Sequence, residues 1–288
     1  MNILINKILF LISSFFETVK FIFLSYFFSW KRPQLEQSSS YIISLTSYHK
    51  RFGTLHLVLE SFFYQKLKPR EIHLWLSKKD LDIYGGIPKR IKRLENDGLI
   101  IHIKNDDIGS YKKLSYINDL LIQVTGIKHV ITADDDVLYP KYWSEELLLK
   151  SMKDNCVSCF RGHDLRIYNG IFDYKKSMSL NVSGSEPNYS LLPTGCSGVA
   201  YPIGSISREV SSSDKFLSVA PKADDIWYKA MTLKNGYKSS RVYAHNVHFP
   251  VLINCLSESL YSSNVNNNEN NIKLKNTFHF FDVTKYFY

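Results

Sequence analysis

Three consecutive aspartates, Asp134, Asp135 and Asp136, follow directly after an apolar run that ends at Ala133. Their mutual repulsion requires a cation, a basic partner or full exposure to water. Asp134 and Asp136 are two positions apart, so in an extended backbone their side chains point the same way. Two carboxylates on one side suit Mg²⁺ or Mn²⁺, which completes its shell with phosphate and water. The triplet therefore predicts a divalent-metal site, with a solvated acidic turn as the simpler alternative.

A second acidic pair, Asp224 and Asp225, opens an apolar periodic segment that predicts a helix. Either aspartate can cap that helix, because a short carboxylate side chain accepts hydrogen bonds from the first turn. The functional alternative is a general base at the helix start, aimed into a cleft. The sequence alone leaves both interpretations open.

Small residues fill the segment 193–202, which holds Gly195, Cys196, Ser197 and Gly198 in an apolar setting. Glycine allows a ligand to approach the backbone closely. A tight turn between two strands explains the same composition. This segment is therefore a candidate binding loop, and the sequence does not choose between the two explanations.

Two histidines, His245 and His248, follow a predicted strand at 241–243. An imidazole at this place can supply a third metal ligand, and we assign that role to His245. The alternative is an ordinary surface or core histidine, since the chain holds nine of them.

Lys112 and Lys113 come shortly after Asp107, which follows another predicted strand. Beside a nucleotide, a lysine ammonium can bind phosphate. The sequence has no G-x-x-x-x-G-K-[ST] phosphate loop and no G-x-G-x-x-G dinucleotide motif. It also lacks the G-x-S-x-G nucleophile motif. Any nucleotide chemistry must therefore use another type of site.

The elements that position these residues alternate between strand and helix. Apolar runs predict strands at 41–46, 71–76, 99–104 and 128–133, and amphipathic segments predict helices at 55–64, 88–96, 114–124, 143–152 and 225–235. Such alternation with short connections favours a parallel sheet covered by helices on both faces. These sheets bind ligands beyond the carboxyl ends of their strands, where this chain places Thr46 and Ser47, Asp107 and the Asp triplet.

The composition is that of an ordinary globular protein. The chain has 288 residues, of which 44% are hydrophobic and 22% charged, and this excludes disordered, collagen-like and polytopic membrane proteins. The net charge of +9 is concentrated between residues 66 and 113, a surface that suits nucleotide, nucleic acid or anionic lipid. The C-V-S-C run at 156–159 is typical of a buried strand rather than a zinc site, because no matching cysteine pair follows.

The N-terminal segment is apolar from about residue 3 to residue 30, with Lys7, Glu17 and Lys20 as interruptions. No small-residue cleavage site of a signal peptide is evident. Glu17 and Lys20 share one helix face, so a helix lying in the membrane interface with that face toward water accommodates both. A membrane-spanning helix and a helix packed on a soluble domain remain the alternatives.

These patterns divide the chain into four parts. We expect an apolar, membrane-associated helix at 1–32, a linker at 33–40, an enzyme domain at 41–255 and a C-terminal tail at 256–288. The enzyme domain divides into a nucleotide-sugar half at about 41–140 and an acceptor half at about 141–255. The tail contains an Asn-rich stretch at 264–271, whose low complexity predicts disorder.

Taken in order, these motifs resemble the family 2 glycosyltransferases and related enzymes of the GT-A fold. The resemblance covers residues 42 to about 249. It rests on Ile43-Ser44-Leu45-Thr46-Ser47-Tyr48, Ala133-Asp134-Asp135-Asp136, Gly195-Cys196-Ser197-Gly198 and Asp224-Asp225. It implies an α/β, Rossmann-like sandwich with a mostly parallel central sheet, a nucleotide-sugar donor, a divalent metal ion (Mn²⁺ or Mg²⁺) and an acceptor hydroxyl.

The resemblance also implies a role for each matching residue. Asp225 matches the catalytic base, although the common pair in the family is Glu-Asp rather than Asp-Asp. Asp136 matches the position that binds the metal holding the diphosphate, and Asp134 matches a position near the ribose. From the residue pattern we assign Asp134 and His245 as further metal ligands. The donor nucleotide is assigned to Thr46, Ser47, Asp107, Lys112, Asp134 and Asp135, and the acceptor or sugar to Gly195, Cys196, Ser197, Gly198 and Asp224.

The predicted function is an inverting, metal-dependent hexosyltransferase (EC 2.4) that acts in bacterial surface glycan synthesis, on lipopolysaccharide O-antigen or capsule. Its acceptor is a glycan or a lipid-linked sugar, and its place is the cytoplasmic side of the cell membrane, peripheral or monotopic. Two alternatives are a metal-dependent nucleotidyltransferase and a basic nucleic-acid-binding module. Nucleic acid is not expected as a partner, because the two acidic clusters repel phosphate unless a metal intervenes.

Overall fold

A computed structural model describes residues 2–27, 32–123, 125–180, 183–255 and 269–287. The strands in these residues are β1 (Tyr41–Thr46), β2 (Glu71–Ser77), β3 (Leu99–Lys104), β4 (His129–Ala133), β5 (Val157–Cys159), β6 (Gly162–Asp164), β7 (Ile167–Tyr168), β8 (Ile171–Phe172), β9 (Leu191–Pro193), β10 (Val199–Pro202) and β11 (Ser239–Arg241). The helices are α1 (Asn2–Phe27), α2 (Leu55–Phe63), α3 (Lys78–Tyr84), α4 (Lys89–Arg93), α5 (Lys112–Ser115), α6 (Ile117–Gln123), α7 (Trp143–Asp154), α8 (Tyr174–Ser179), α9 (Ser213–Val219), α10 (Asp224–Lys234) and α11 (Glu269–Phe280).

Seven strands form one central sheet in the order β11-β5-β10-β4-β1-β2-β3. The strands β3, β2, β1 and β4 are mutually parallel, and Ile43 at the centre of β1 lies opposite Ile72 and Ile131. Strand β10 runs antiparallel between β4 and β5, and β11 returns to the parallel direction beside β5. The predicted mostly parallel α/β sheet is therefore confirmed, and it continues across both predicted halves of the enzyme domain.

Helices cover both faces of this sheet. Ile43 and Leu45 belong to one buried cluster with residues of α2 and α7, whereas Ile42 belongs to the other cluster with residues of α10 and α11. This division follows from the strand period of two, which sends neighbouring side chains to opposite faces. The expectation of helices on both faces is confirmed.

Three predicted elements have different bounds in the structure. The helix expected at 114–124 is interrupted at Tyr116, which separates α5 from α6, and residue 124 lies outside the described residues. The helix expected at 88–96 is α4 followed by a 3₁₀ turn at Leu94–Asp97. The strand expected at 241–243 ends at Arg241.

The helix α3 was not predicted from the sequence. Its start is the capping pattern Ser77-x-x-Asp80, in which the Ser77 hydroxyl accepts the Asp80 backbone N–H at 3.1 Å. Its end is Gly85, which adopts a φ of +89°. Both signals are present in the sequence, but the segment is only seven residues long and its apolar periodicity is weak.

The cysteine run and the C-terminal segment have clear places in the fold. Cys156 and Cys159 are buried free thiols, and Val157–Cys159 forms the inner strand β5, as the pattern predicts.

Of the Asn-rich stretch, residues 264–268 lie outside the described residues. The expectation of disorder is wrong for residues 269–271, because they begin α11, whose Leu274 and Phe278 are buried in the core beside α10.

Candidate active site at the carboxyl edge of the sheet

Four segments reach the same edge of the sheet. The parallel strands β1 and β4 end there, which delivers Ser47 and the Asp triplet. Strand β10 runs in the opposite direction, so the Gly195–Ser197 turn before it lies at that edge too. The helix α10 brings Asp224 and Asp225 to the same place. The structure therefore brings together segments that extend from Ser47 to Asp225, 178 positions apart in the chain.

The buried ammonium of Lys113 joins the two acidic motifs. Its Nζ lies 3.1 Å from Asp134 Oδ1 and 2.9 Å from Asp224 Oδ2, and the Lys113 side chain is 6% exposed. Burial alone lowers the pKa of Lys113, but the carboxylates of Asp134, Asp224 and Asp225 raise it well above its ordinary value. Lys113 is therefore a charged centre that fixes the triplet against the start of α10.

The remaining two aspartates of the triplet contact a different cation. The Arg51 guanidinium donates a hydrogen bond to Asp135 and lies 3.0 Å from Asp136 Oδ2. Asp135 also accepts the Ser47 hydroxyl at 2.5 Å. Arg51 therefore holds the loop after β1 against the loop after β4.

The backbone turns within the triplet instead of continuing the strand. The Asp134 backbone N–H donates to the Tyr139 hydroxyl at 2.9 Å, and the Asp136 carbonyl accepts the Leu252 N–H at 2.8 Å. These contacts belong to a turn at Asp135 and Asp136. The expected extended geometry is therefore wrong, and the ion pairs divide the carboxylates between Lys113 and Arg51.

Two carboxylates in the cluster titrate far from their ordinary range. Burial, together with the charges of Asp134 and Asp135, raises the pKa of Asp136 to about 7, although Arg51 opposes the shift. Burial, the charge of Asp224 and that of Asp134 raise the pKa of Asp225 to about 7, although Lys113 opposes that shift. Negative charge is thus in excess at this edge, and a further cation is favoured there.

Gly195 lies between the two acidic motifs. Its backbone N–H donates to Asp225 Oδ1 at 3.1 Å. A Cβ at this position would lie 2.7 Å from Lys113 Nζ and 3.4 Å from carboxylate oxygens of Asp134 and Asp225. The absence of a side chain at residue 195 lets the backbone approach the charged cluster this closely.

The other residues of this loop make structural contacts. Gly198 has a φ of +86°, and a Cβ there would lie 2.5 Å from the Trp143 ring. The Ser197 hydroxyl donates to the Val247 carbonyl at 2.8 Å. Cys196 is half-buried, and burial raises the pKa of its thiol. The tight-turn explanation therefore holds for Gly198, while contact of the loop with an acceptor stays a prediction.

The carboxylates at the start of α10 contact other residues of the site and do not cap the helix. The residue before the helix is Ala223, whose N–H donates to the Tyr111 hydroxyl at 3.1 Å. Asp224 and Asp225 occupy the first turn, and their described contacts are to Lys113 and Gly195. The capping interpretation of this pair is therefore wrong. Both carboxylates still benefit from the positive end of the helix dipole.

The predicted donor residues on β1 and β3 have local partners. The Thr46 hydroxyl donates to the Trp75 carbonyl at 2.8 Å. Lys112 is buried and forms an ion pair with Asp107, which also accepts the Gly109 N–H at 3.1 Å. Lys112 can therefore contact phosphate only when its ammonium leaves Asp107. Its assignment to the donor nucleotide stays a prediction.

A hydrogen-bonded group supports the loop that carries Arg51. His49 Nδ1 lies 2.7 Å from Asp80 Oδ1, and the Ser77 hydroxyl donates to Asp80 Oδ2 at 2.5 Å. His49 and Arg51 share one 3₁₀ turn, so this network orients the guanidinium toward the triplet. Arg51 was not predicted as a site residue, and Lys113 was considered only as a phosphate contact beside Lys112. The only signal for each is a basic residue near a strand end, in a chain rich in such residues.

The histidine predicted as a metal ligand lies on an exposed segment. The His245 ring stacks near Tyr243, with 6.0 Å between the ring centroids. Burial and the Arg161 charge lower the pKa of His248. Within the described ranges, no group of three or more His, Cys, Asp or Glu side chains forms a preassembled metal site. The role of His245 stays a prediction.

Comparison with known proteins gives distant similarities of fold. No protein-family profile matches the chain, and no curated protein matches its sequence. The structure resembles Staphylococcus aureus TarS residues 1–349 (TM-score 0.42, 11% identity), covering 72% of this chain and 59% of that one. It resembles the Pyrobaculum calidifontis mannosyltransferase PcManGT in complex with GDP-Man and Mn²⁺ (TM-score 0.44, 12% identity), covering 81% and 66%. It also resembles GalNAc-T7 with UDP, GalNAc and Mn²⁺ (TM-score 0.42, 13% identity), covering 73% and 43%, so the chain spans less than two thirds of each of these structures.

Proposed function

We propose that this protein transfers a sugar from a nucleotide-sugar donor to an acceptor hydroxyl, with a divalent metal ion and inversion at the anomeric carbon. One observation carries the proposal: both acidic motifs meet through Lys113 at the ligand-binding edge of a mostly parallel sheet. This edge gathers five aspartate carboxylates around Arg51, Lys113 and Gly195. That is the environment a metal-bound diphosphate requires.

The residues fit a divalent cation. Five aspartates, at 134–136 and 224–225, lie here. Four form ion pairs with Arg51 or Lys113, and Asp225 accepts the Gly195 N–H. Burial and the neighbouring carboxylates raise the pKa of Asp136 and Asp225, and an added cation relieves the repulsion between the carboxylates. We propose Asp134 and Asp136 as its ligands, since carboxylate oxygens suit Mg²⁺ and Mn²⁺. When bound, such an ion supplies positive charge against the diphosphate leaving group.

We propose Asp225 as the general base. Its carboxylate is held by the Gly195 N–H, and its pKa of about 7 lies near a usual working pH, where a base is most effective. It takes the proton of the acceptor hydroxyl while that oxygen forms a bond to the anomeric carbon. The bond from this carbon to the diphosphate breaks, and the nucleoside diphosphate leaves. Because no enzyme nucleophile takes part, the configuration inverts.

The two cations have separate tasks in this proposal. Arg51 orients Asp135 and Asp136 on the donor side, together with Ser47. Lys113 fixes Asp224 and Asp134, and so sets the distance between the donor side and the base. Thr46, Asp107 and Lys112 complete the donor side, and the loop 195–198 with Asp224 contacts the acceptor.

We further propose a bacterial surface glycan as the acceptor and the cytoplasmic side of the cell membrane as the location. The segment Ile5–Phe27 is long and apolar enough to cross a membrane by length and composition alone. An enzyme that glycosylates a lipid-linked sugar needs to work at that surface. Both points extend beyond the site itself.

The test uses the full chain in detergent with a panel of nucleotide sugars, and it measures the release of nucleoside diphosphate. We expect release with one donor in Mn²⁺ or Mg²⁺ and none in EDTA. Asp136→Asn should abolish it, while the matched change Asp82→Asn, at an exposed aspartate of α3, should have no effect. Full activity in EDTA overturns the metal proposal. Pyrophosphate release from a nucleoside triphosphate and a sugar phosphate would instead identify a nucleotidyltransferase.

A further inference from the structure

The helix α1 contacts the domain through a stripe that includes several polar residues. Ser14 and Phe21 are buried, and Glu17, Thr18 and Leu24 are half-buried, a spacing of three to four residues along one face. The Ser14 hydroxyl accepts the Val251 N–H at 3.2 Å. Glu17, expected to face water, therefore lies beside the packed stripe, paired with Lys20.

Most of the remaining surface of α1 is apolar and exposed, and its exposed polar residues are Asn6, Lys7, Ser13 and Lys20. Its exposed large side chains are Ile5, Ile8, Leu9, Leu11, Ile12, Phe15, Phe16, Val19, Ile22, Phe23, Tyr26 and Phe27, each between 41% and 65% exposed. A surface helix of a water-soluble domain normally turns its apolar stripe inward. Here Ser14, Glu17 and Thr18 lie toward the domain, and most of the large apolar side chains lie away from it. A contiguous apolar surface of this kind marks a contact with a membrane or a partner.

A strongly basic helix lies beside this apolar surface. In α4 the sequence Lys89-Arg90-Ile91-Lys92-Arg93 carries four cations, all exposed, around the buried Ile91. Arg90 donates a hydrogen bond to the Tyr26 hydroxyl and lies 4.1 Å from the centre of the Tyr26 ring. Next to it, a shallow cleft of about 360 Å³ is lined by Lys89, Lys92, Arg93, Glu95 and Asn96. Apolar and cationic surfaces are therefore continuous.

We propose that α1 and α4 form one docking surface for an anionic phospholipid bilayer, with α1 lying in the plane of the interface. The apolar side of α1 enters the acyl boundary, and the cations of α4 meet phosphate headgroups. This inference deepens the proposed membrane location by naming the surface and the lipid charge that it needs.

The contacts of α1 favour the in-plane arrangement over a span. Ser14, Phe21 and Tyr26 all contact the domain, so the middle and the second half of α1 follow its surface. In a span, these residues would occupy the bilayer. The Phe21 side chain would then have to leave the core cluster, and the Tyr26 contact with Arg90 would be lost.

The first experiment is flotation of the full chain with vesicles of phosphatidylcholine alone and of phosphatidylcholine mixed with phosphatidylglycerol. We expect tighter binding to the anionic vesicles. Replacing Lys89, Lys92 and Arg93 by Gln should weaken that binding about 100-fold, from about 1 kcal/mol per cation near the surface. The matched control replaces Lys175, Lys275 and Lys285 by Gln, which are exposed on or near α8 and α11, and it should bind as the unaltered chain does. Equal losses in both variants, or none in either, overturn the role of α4.

The second experiment tests the apolar side and the topology. Changing Leu9, Phe16 and Ile22 to Ser should abolish binding to both vesicle types, and the fold should remain because these side chains are exposed. In inverted membrane vesicles, protease should remove a tag placed before residue 1. If the tag is protected from protease, α1 spans the membrane. If the chain forms a dimer without detergent and does not bind vesicles, the apolar surface contacts a protein partner. Either result overturns the proposal.

The release of nucleoside diphosphate in detergent separates this inference from the proposed function. The α4 variant should keep the release rate of the unaltered chain, because its residues lie outside the site. If the unaltered chain binds anionic vesicles but releases nothing with any donor, the enzyme proposal fails and the docking surface stands. If the unaltered chain releases nucleoside diphosphate but does not bind vesicles, the docking surface fails and the enzyme proposal stands.

Discussion

Lys113 and Arg51 both lie among aspartate carboxylates at one edge of the sheet, but they pair with different aspartates. Lys113 is 6% exposed and bridges Asp134 of one motif to Asp224 of another. Arg51 is 12% exposed and contacts Asp135 and Asp136, which are consecutive. The partners of Lys113 thus lie in two distant segments, whereas both carboxylate partners of Arg51 lie in a single turn.

This difference indicates that the carboxylates around Lys113 are structural and that the carboxylates around Arg51 are open to ligands. Removing Lys113 leaves the partly buried carboxylates of Asp134 and Asp224, from two segments, without this cation, and the segments repel each other. Removing Arg51 affects one turn that hydrogen bonds from Ser47 and Leu252 also hold. We infer that the Arg51 side receives the donor and that the Lys113 side fixes the base. The following predictions are ordered by expected effect.

The largest effect should come from Asp225→Asn. The Asn carbonyl oxygen can still accept the Gly195 N–H, so stability should change little. The amide cannot take the acceptor proton, so turnover should fall by about 10²–10⁴-fold. Asp224→Asn is the matched control and should lower turnover less. Steady-state release of nucleoside diphosphate checks both, and a dead Asp224 variant beside an active Asp225 variant would move the base by one residue.

Lys113→Met should have the next largest effect, on stability. It leaves Asp224, 15% exposed, and Asp134, 31% exposed, without their cation, so we expect a loss of about 3 kcal/mol, the low end for breaking a buried ion pair. The neighbouring Lys112→Met is the control, with a smaller loss expected because Lys112 pairs with one carboxylate, that of Asp107, which is about one third exposed and can be solvated by water. Urea unfolding measures the free energy of both. Equal losses of stability would mean that Lys113 is no more structural than Lys112, which would contradict its role as the link between the two acidic motifs.

The two glycines of the binding loop should separate stability from activity. Gly198→Ala places a Cβ 2.5 Å from the rigid Trp143 ring at a φ of +86°, so we expect a loss of about 2–4 kcal/mol. Gly195→Ala meets the flexible end of Lys113 instead, so the stability loss should be smaller. Turnover should nevertheless fall about 10–100-fold, because the cluster around Asp225 shifts. Thermal unfolding and release assays of both variants check this, and a Gly195 variant with normal turnover contradicts it.

The smallest expected effect is a slope of stability against pH in the presence of EDTA. The folded-state pKa of Asp136 is about 7, above its unfolded value, so the folded protein binds the extra proton between about pH 4 and pH 7. Stability should therefore fall as the pH rises through this window. Asp136→Asn should flatten the slope and Asp82→Asn should not. Urea unfolding across this range measures it, and an unchanged slope in Asp136→Asn would assign the effect to other groups.

Much of the frame was predictable from local pattern. The apolar runs that become β1, β2 and β4 are nearly continuous, as expected for strands buried on both faces, whereas β3 is the partly exposed edge strand. The ends of these strands correctly placed the polar residues at one edge. The helix α3 was missed because it is short, and the break at Tyr116 because the apolar periodicity runs through it. The strands β6 to β9 are two or three residues long, too short for a period of two to be visible.

The sequence by itself determined the α/β alternation, the edge where the chemistry lies and the two acidic motifs, because each is a property of neighbouring residues. Only the tertiary structure decided that Lys113 joins those motifs, that Arg51 divides the triplet and that Gly195 contacts the charged cluster. It also decided that α1 turns polar residues toward the domain. Each of these facts is a contact between residues far apart in the chain, and the choice among many similar lysines, arginines and glycines is made by packing.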